Sequence, residues 1–220
     1  MKEKGKKLLW TGVVWIAVFG VWTMLIQTID VKPVGQNGTD VGFAWWNVMF
    51  HRWTGVHMTI YTITDWLGLI PLFVCVLFGV VGLVQFVERK RIVRVDYDII
   101  FLGIYYVVVI AEYLVFEMMP VNYRPVLINE RMEASYPSST TLLVISVMPT
   151  LIFQVNRRFV NPVWKKVICV IAVIFSVFMV IGRLVSGVHW FTDIIGSVMI
   201  SIGGFCIYKA VVLLCCKEEN

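Results

Sequence analysis

Apolar residues gather into six runs along the chain, at about Leu8–Ile29, Leu67–Val87, Ile99–Phe116, Ser138–Val155, Val167–Val185 and Thr192–Leu214. Each approaches the roughly 20 residues that a helix rising 1.5 Å per residue needs to cross a bilayer core of about 30 Å. The first run follows Lys2, Lys4, Lys6 and Lys7, as a signal peptide would. It is too long for one, carries Trp10, Trp15 and Trp22, and lacks a small-x-small cleavage site, so a retained anchor is expected.

Between the first two runs lies a Gly-, Asn- and Asp-rich loop, Asp30 to Asp40, containing the glycosylation sequon Asn37-Gly38-Thr39. Gly42 to Tyr61 then sets Trp45, Trp46, Met49, Phe50 and Trp53 on one helical face and Asn47 and His51 on the other. That pattern predicts a helix lying in the membrane interface, anchored by tryptophans. The other long polar stretch is Glu117 to Pro137. With no internal repeat and no linker, residues 1–220 are expected to form a single all-α membrane domain, a six-helix bundle.

Composition agrees: 59% of residues are hydrophobic and 15% charged, too little polar material to coat a soluble globule of this size. The net charge of +5 does not point to nucleic acid, because the basic residues form short clusters between apolar runs. Cys75, Cys169, Cys206, Cys215 and Cys216 lie in or beside those runs, away from polar loops, so neither a disulfide framework nor a metal site is expected, and no cofactor. Cys215 and Cys216 stand where acylation would be feasible, though small apolar packing is the simpler use.

The basic clusters set an orientation. The N-terminus, Arg89 to Arg94, Arg157 to Lys166, Lys209 and Lys217 together carry 14 of the 19 Lys and Arg residues. Lys32, Arg52, Arg124, Arg131 and Arg183 fall on the other side. Both termini are therefore expected in the cytoplasm, with His51, His57 and His189 at the outer face of a cell membrane.

Candidate chemistry gathers at that face. Arg183 closes the fifth run, and Ser186-Gly187 turns the chain toward His189, with Asp193 four residues on. On a helix that spacing puts the carboxylate beside the imidazole, where it can fix the tautomer and leave the other nitrogen free to attack. Ionisable groups at a membrane rim are costly and usually functional. Asn122-Tyr123-Arg124-Pro125 precedes Tyr136-Pro137-Ser138-Ser139-Thr140-Thr141, a helix start whose N–H groups make an anion site. Ser138 and Ser139 would add donors, and Arg124 a planar fork for phosphate.

These motifs together resemble the type 2 phosphatidic acid phosphatase family, which shares its core with vanadium haloperoxidases. The family pattern runs K-x6-R-P, P-S-G-H and S-R-x5-H-x3-D. Arg124-Pro125, Pro137-Ser138, and Arg183, His189 and Asp193 match it in order. The resemblance implies a lipid phosphatase or phosphotransferase, with His189 as nucleophile, Asp193 orienting it, and Arg124 and Arg183 holding the phosphoryl oxygens. It also implies departures: Glu117 stands at the lysine position, Ser139 at the glycine, Thr140 at the second histidine and Gly182 before Arg183.

A missing general acid typically lowers a rate by about 10²–10⁴. A phosphate leaving from a lipid diphosphate needs less protonation than a lipid alkoxide, which tilts the substrate toward a polyprenyl diphosphate. His51 or His57 is a candidate replacement acid. Glu117 could pair with Arg124, donate a proton or meet a cationic headgroup; Tyr123 is a further auxiliary candidate. The alternative is an impaired relative that binds, transports or regulates a phosphorylated lipid.

Overall fold

In a computed structural model, which describes residues 2–215, the chain forms eight α-helices. Met1 and 216–220, with Cys216 and Lys217, lie outside the described residues. The helices are α1 (Lys2–Ile26), α2 (Ala44–Thr54), α3 (Met58–Leu67), α4 (Leu69–Arg89), α5 (Tyr97–Met118), α6 (Ser139–Arg158), α7 (Pro162–Val185) and α8 (Phe191–Cys215). Six helical segments are long and apolar enough to cross a membrane, α3 and α4 counting as one.

Two boundaries differ from expectation. The interfacial helix ends at Thr54, not Tyr61, because Gly55 adopts a left-handed φ of 70° and breaks it. The second span begins at Met58, nine residues before Leu67, since Gly68 keeps a helical conformation (φ −59°, ψ −16°) and joins α3 to α4 with little interruption. At about 48 Å for its 32 residues, this segment is longer than a bilayer core of about 30 Å. The first span also starts early, at Lys2, because helix propensity carries through the lysines.

The α2 face divides as the pattern predicted. Trp45, Trp46 and Trp53 are exposed while Asn47 is fully buried. Asn47 donates to Gly42 O and to Thr192 Oγ1, and its own Oδ1 accepts the Thr192 N–H, satisfying a free donor in the first turn of α8. A polar residue on an amphipathic helix thereby docks that helix onto the start of α8.

The core lies among α4, α5, α6, α7 and α8, around Leu102, Val144, Val147, Met179 and Val212. Several of the bundle's buried polar side chains pair with one another: Tyr106 with Thr150, Gln154 with Tyr208, and Ser146 with Ser201. At the end bearing Arg89 and Arg158, Asp96 bridges both arginines, and Asp98 takes a bidentate contact from Arg158 at 2.8 and 2.9 Å. α1 packs on α8, where Gly12 and Gly203 let the two backbones approach.

Candidate active site

The site lies at the opposite end, where three segments meet: the turn between α7 and α8, the loop between α5 and α6, and α3. The loop folds back on itself. Ile128 pairs with Arg131 across Asn129 and Glu130, both at positive φ as a tight hairpin turn requires. Arg124 N–H then reaches Glu133 O, and Ser135 N–H reaches Asn122 O. That pairing brings Asn122, Arg124 and Ser135, distant in sequence, to one edge.

His189 is buried (4% exposed), in the turn just before α8. Its Nδ1 lies 3.1 Å from Ser135 O, an acceptor only, so Nδ1 carries the proton and Nε2 keeps its lone pair. Burial, then the charges of Arg124 and Arg183, hold its pKa well below the ordinary imidazole value. The ring is thus neutral near pH 7, as a nucleophile must be.

Asp193 is fully buried but does not grip the imidazole directly: Oδ2 is 3.8 Å from Nδ1. The helical reasoning for this pair fails because His189 precedes α8, so the two residues do not share one helix face. Ser135 fills the gap. Its hydroxyl lies 3.2 Å from His189 Nδ1 and donates a short hydrogen bond to Asp193 Oδ2. Asp193 also accepts from Trp190 N–H at 2.8 Å, closing the first turn of α8, and from Asn122 Nδ2 at 3.4 Å.

Arg183 is 1% exposed, and its Nη2 lies 3.5 Å from His189 Nε2. α3 encloses it. Thr64 Oγ1 and Asp65 Oδ1 stand 3.4 and 3.6 Å from Nη1, and the Tyr61 ring lies 4.9 Å from the guanidinium carbon. Gly182, one of the departures from the family pattern, has a local reason: a Cβ there would come within 2.7 Å of Thr64 Cγ2. Gly187 is needed twice over, since it has φ +70° and a Cβ would lie 2.0 Å from Gly55 O.

Arg124 also approaches Tyr61, its guanidinium carbon 5.8 Å from the ring centroid. Its ion-pair partner is Glu133, at 3.2 Å, whereas Glu117, for which pairing with Arg124 was one of three roles open in the sequence, is exposed on α5. Arg124 Nε and Nη1 and Arg183 Nε are buried without a hydrogen-bond partner. A buried donor left unpaired typically costs about 1–3 kcal/mol, more when charged. Guanidinium donors of this kind are suited to the oxygens of an anion.

The remaining candidates are placed as follows. Ser138 is fully buried, and its hydroxyl donates to Thr141 Oγ1 rather than outward, which corrects the expectation that it faces phosphate. It makes no capping bond, so the first N–H groups of α6 lack a side-chain acceptor. Ser139 lines a small cavity with Tyr113, Phe116 and Glu117, on the α5 side. Thr140 faces the α3–α4 junction, 3.4 Å from the Cβ position of Gly68. Tyr123 contributes its carbonyl, which accepts from Trp190 Nε1 at 2.9 Å.

Neither auxiliary histidine is brought to His189. His51 Nε2 bonds Gly187 O at 3.1 Å, and His57 bonds Thr54 O with its ring and Ser186 O with its N–H. Both brace the turn that carries His189. Sequence reasoning missed Ser135, Asn122, Glu133, Tyr61 and Asp65. Asp65 had a signal, being a carboxylate set between apolar residues just before the run that begins at Leu67. Among the described residues no group of three or more His, Cys, Asp or Glu could hold a metal ion.

A six-span bundle that gathers two buried arginines around a neutral histidine defines a membrane protein of the PAP2 superfamily. The chain belongs to that superfamily, whose model matches residues 100–214. Similar in fold is the crystal structure of the first transmembrane PAP2-type phosphatidylglycerolphosphate phosphatase from Bacillus subtilis, at TM-score 0.64 and 19% identity, over 95% of this chain and 98% of that one. No curated protein matches the chain by sequence.

Proposed function

We propose that the chain is a lipid phosphatase or phosphotransferase acting on a membrane lipid phosphate or diphosphate through a phosphohistidine. The observation that carries this reading is the set of unpaired guanidinium donors beside Nε2 of His189, which carries no proton and faces Arg183 Nη2. The phosphoryl oxygens would lie against Arg124, Arg183 and the start of α6. Nε2 donates its electron pair to phosphorus, and the bond from phosphorus to the lipid oxygen breaks. Water or another acceptor then takes the phosphoryl group from Nε2. Developing negative charge meets fixed positive charge in a water-poor pocket, where such interactions are strongest.

Thr140 supplies no imidazole to protonate the leaving oxygen, and His51 and His57 are engaged elsewhere. That favours a leaving group that is itself a phosphate, and hence a polyprenyl-diphosphate-like lipid. The split of basic residues supports a site on the outer side of the cell membrane. The same Thr140 supports a second reading, in which the chain binds or regulates a phosphorylated lipid without turnover.

Purified protein assayed for phosphate release from phosphatidate, a polyprenyl diphosphate and a phosphodiester lipid separates the two. Release, fastest from the diphosphate and inhibited by vanadate, is the expected result. Vanadate binding without release from any lipid would favour the second reading.

A further inference from the structure

At the end of the bundle remote from His189, a cleft of about 870 Å³ opens between α4 and α5. α4 begins beside the site, where Gly68 meets Thr140, and Phe86 in the cleft lies roughly 27 Å further along the helix. The floor is closed: Phe78, Ile99, Leu102 and Tyr106 belong to the buried core, packed with Val144 and Val147 of α6. The cleft therefore opens sideways, to the bilayer, between exposed walls at Val76, Leu83 and Val107. Part of its width comes from missing side chains, since a Cβ on Gly79 or Gly103 would meet nothing within 4 Å. The one phenol on its floor, Tyr106, is engaged by Thr150 at 2.7 Å.

The mouth is different. Ile92 lines the cleft, and Arg91 and Arg94 lie to either side of it in sequence, close to Lys90. Arg89 donates to Arg94 O and to Asp96, tying this short loop across the end of α4. Of the nearby carboxylates, Asp96 is taken by Arg89 and Arg158 and Asp98 by Arg157 and Arg158, while Glu88, exposed at the end of α4, leaves the three cations in excess. Lys90, Arg91 and Arg94 are exposed, and none lies within ion-pair distance of a carboxylate among the described residues. An apolar slot that ends in uncompensated cations is complementary to an amphiphile with an anionic head.

We propose that this cleft holds an anionic glycerophospholipid from the leaflet opposite the catalytic site. An acyl chain lies between α4 and α5, and the headgroup phosphate lies over Lys90, Arg91 and Arg94. A zwitterionic lipid offers the same chains, but its own cation opposes these residues, so the site selects by net charge. The proposal stands independently of the reaction proposed for His189.

The test mixes the full chain, purified in mild detergent, with phosphatidylglycerol or with phosphatidylcholine of identical acyl chains, and counts retained lipid by native mass spectrometry. Phosphatidylglycerol should be retained about tenfold better. The exposed triple variant K90E/R91E/R94E should erase that preference, and Gly103→Phe should lower retention of both lipids by filling the slot. Arg183→Ala should leave retention unchanged, separating this cleft from the phosphate pocket. Equal retention of the two lipids by the wild type overturns the proposal. So does an unchanged preference in the triple variant, which decides the matter even if Gly103→Phe fails to fold. A wild-type dimer that Gly103→Phe dissociates would name a second copy as the occupant instead.

Discussion

The guanidinium of Arg183 lies 3.5 Å from Nε2 of His189, with both side chains buried. A cation so close to an imidazole opposes its protonation and stands ready for an anion approaching the same nitrogen. Burial and the charge of Arg124 act on the imidazole in the same direction as Arg183.

Replacing His189 tests the mechanism directly. His189→Ala should lower phosphate release by at least about 10³-fold, the scale on which loss of a nucleophile acts, while retaining lipid binding. Asp193→Asn should lose less, because the Ser135 carbonyl still holds Nδ1. Phosphate release and vesicle binding, measured on the same preparations, check both. Undiminished release from His189→Ala would end the phosphohistidine proposal.

The depressed pKa of His189 gives a pH dependence with a definite sign. A neutral ring is the active form, so kcat/KM should hold as pH falls past the ordinary imidazole value of about 6.5 and decline only below it. Arg124→Gln removes one of the opposing charges and should move the acid limb upward, toward 6.5. A wild-type limb already at or above 6.5 would contradict the buried, doubly opposed imidazole.

Ser135 links His189 to Asp193 through its hydroxyl, and Ser135→Ala removes that link while keeping the backbone carbonyl. Hydrogen bonds to charged groups are worth about 1.5–3 kcal/mol, so kcat should fall about tenfold to a hundredfold. KM should change little, since the arginines are untouched. A shift of the pH profile alongside the loss would mark an effect on the imidazole rather than on folding.

Thr140 faces the α3–α4 junction, beside the α3 segment that encloses Arg183. Thr140→His restores a proton donor at the family's position. Turnover of a lipid monophosphate should rise, by up to about 10²-fold, with a smaller gain on a diphosphate. Equal gains on both would show that leaving-group protonation is not what limits the wild type.

The orientation can be read with single cysteines placed in a cysteine-free background. An impermeant thiol reagent applied to intact cells should label Gly35→Cys and miss Lys90→Cys. The reverse pattern would put the phosphate pocket in the cytoplasm.

The six apolar helices were legible in the sequence because membrane insertion demands length and hydropathy in each helix separately, a local requirement. So were His189, Asp193, Arg124 and Arg183, whose types and order form a chemical pattern along the chain. The tertiary structure decided how these groups meet. Ser135 comes between His189 and Asp193 only because the 122–135 loop pairs with itself. Asp65 and Tyr61 reach Arg183 only because Gly68 lets α3 continue α4 and Gly182 leaves room for Thr64. Such contacts join residues up to more than a hundred positions apart, as Thr64 and Arg183 are, and depend on backbone approach, which local periodicity does not encode.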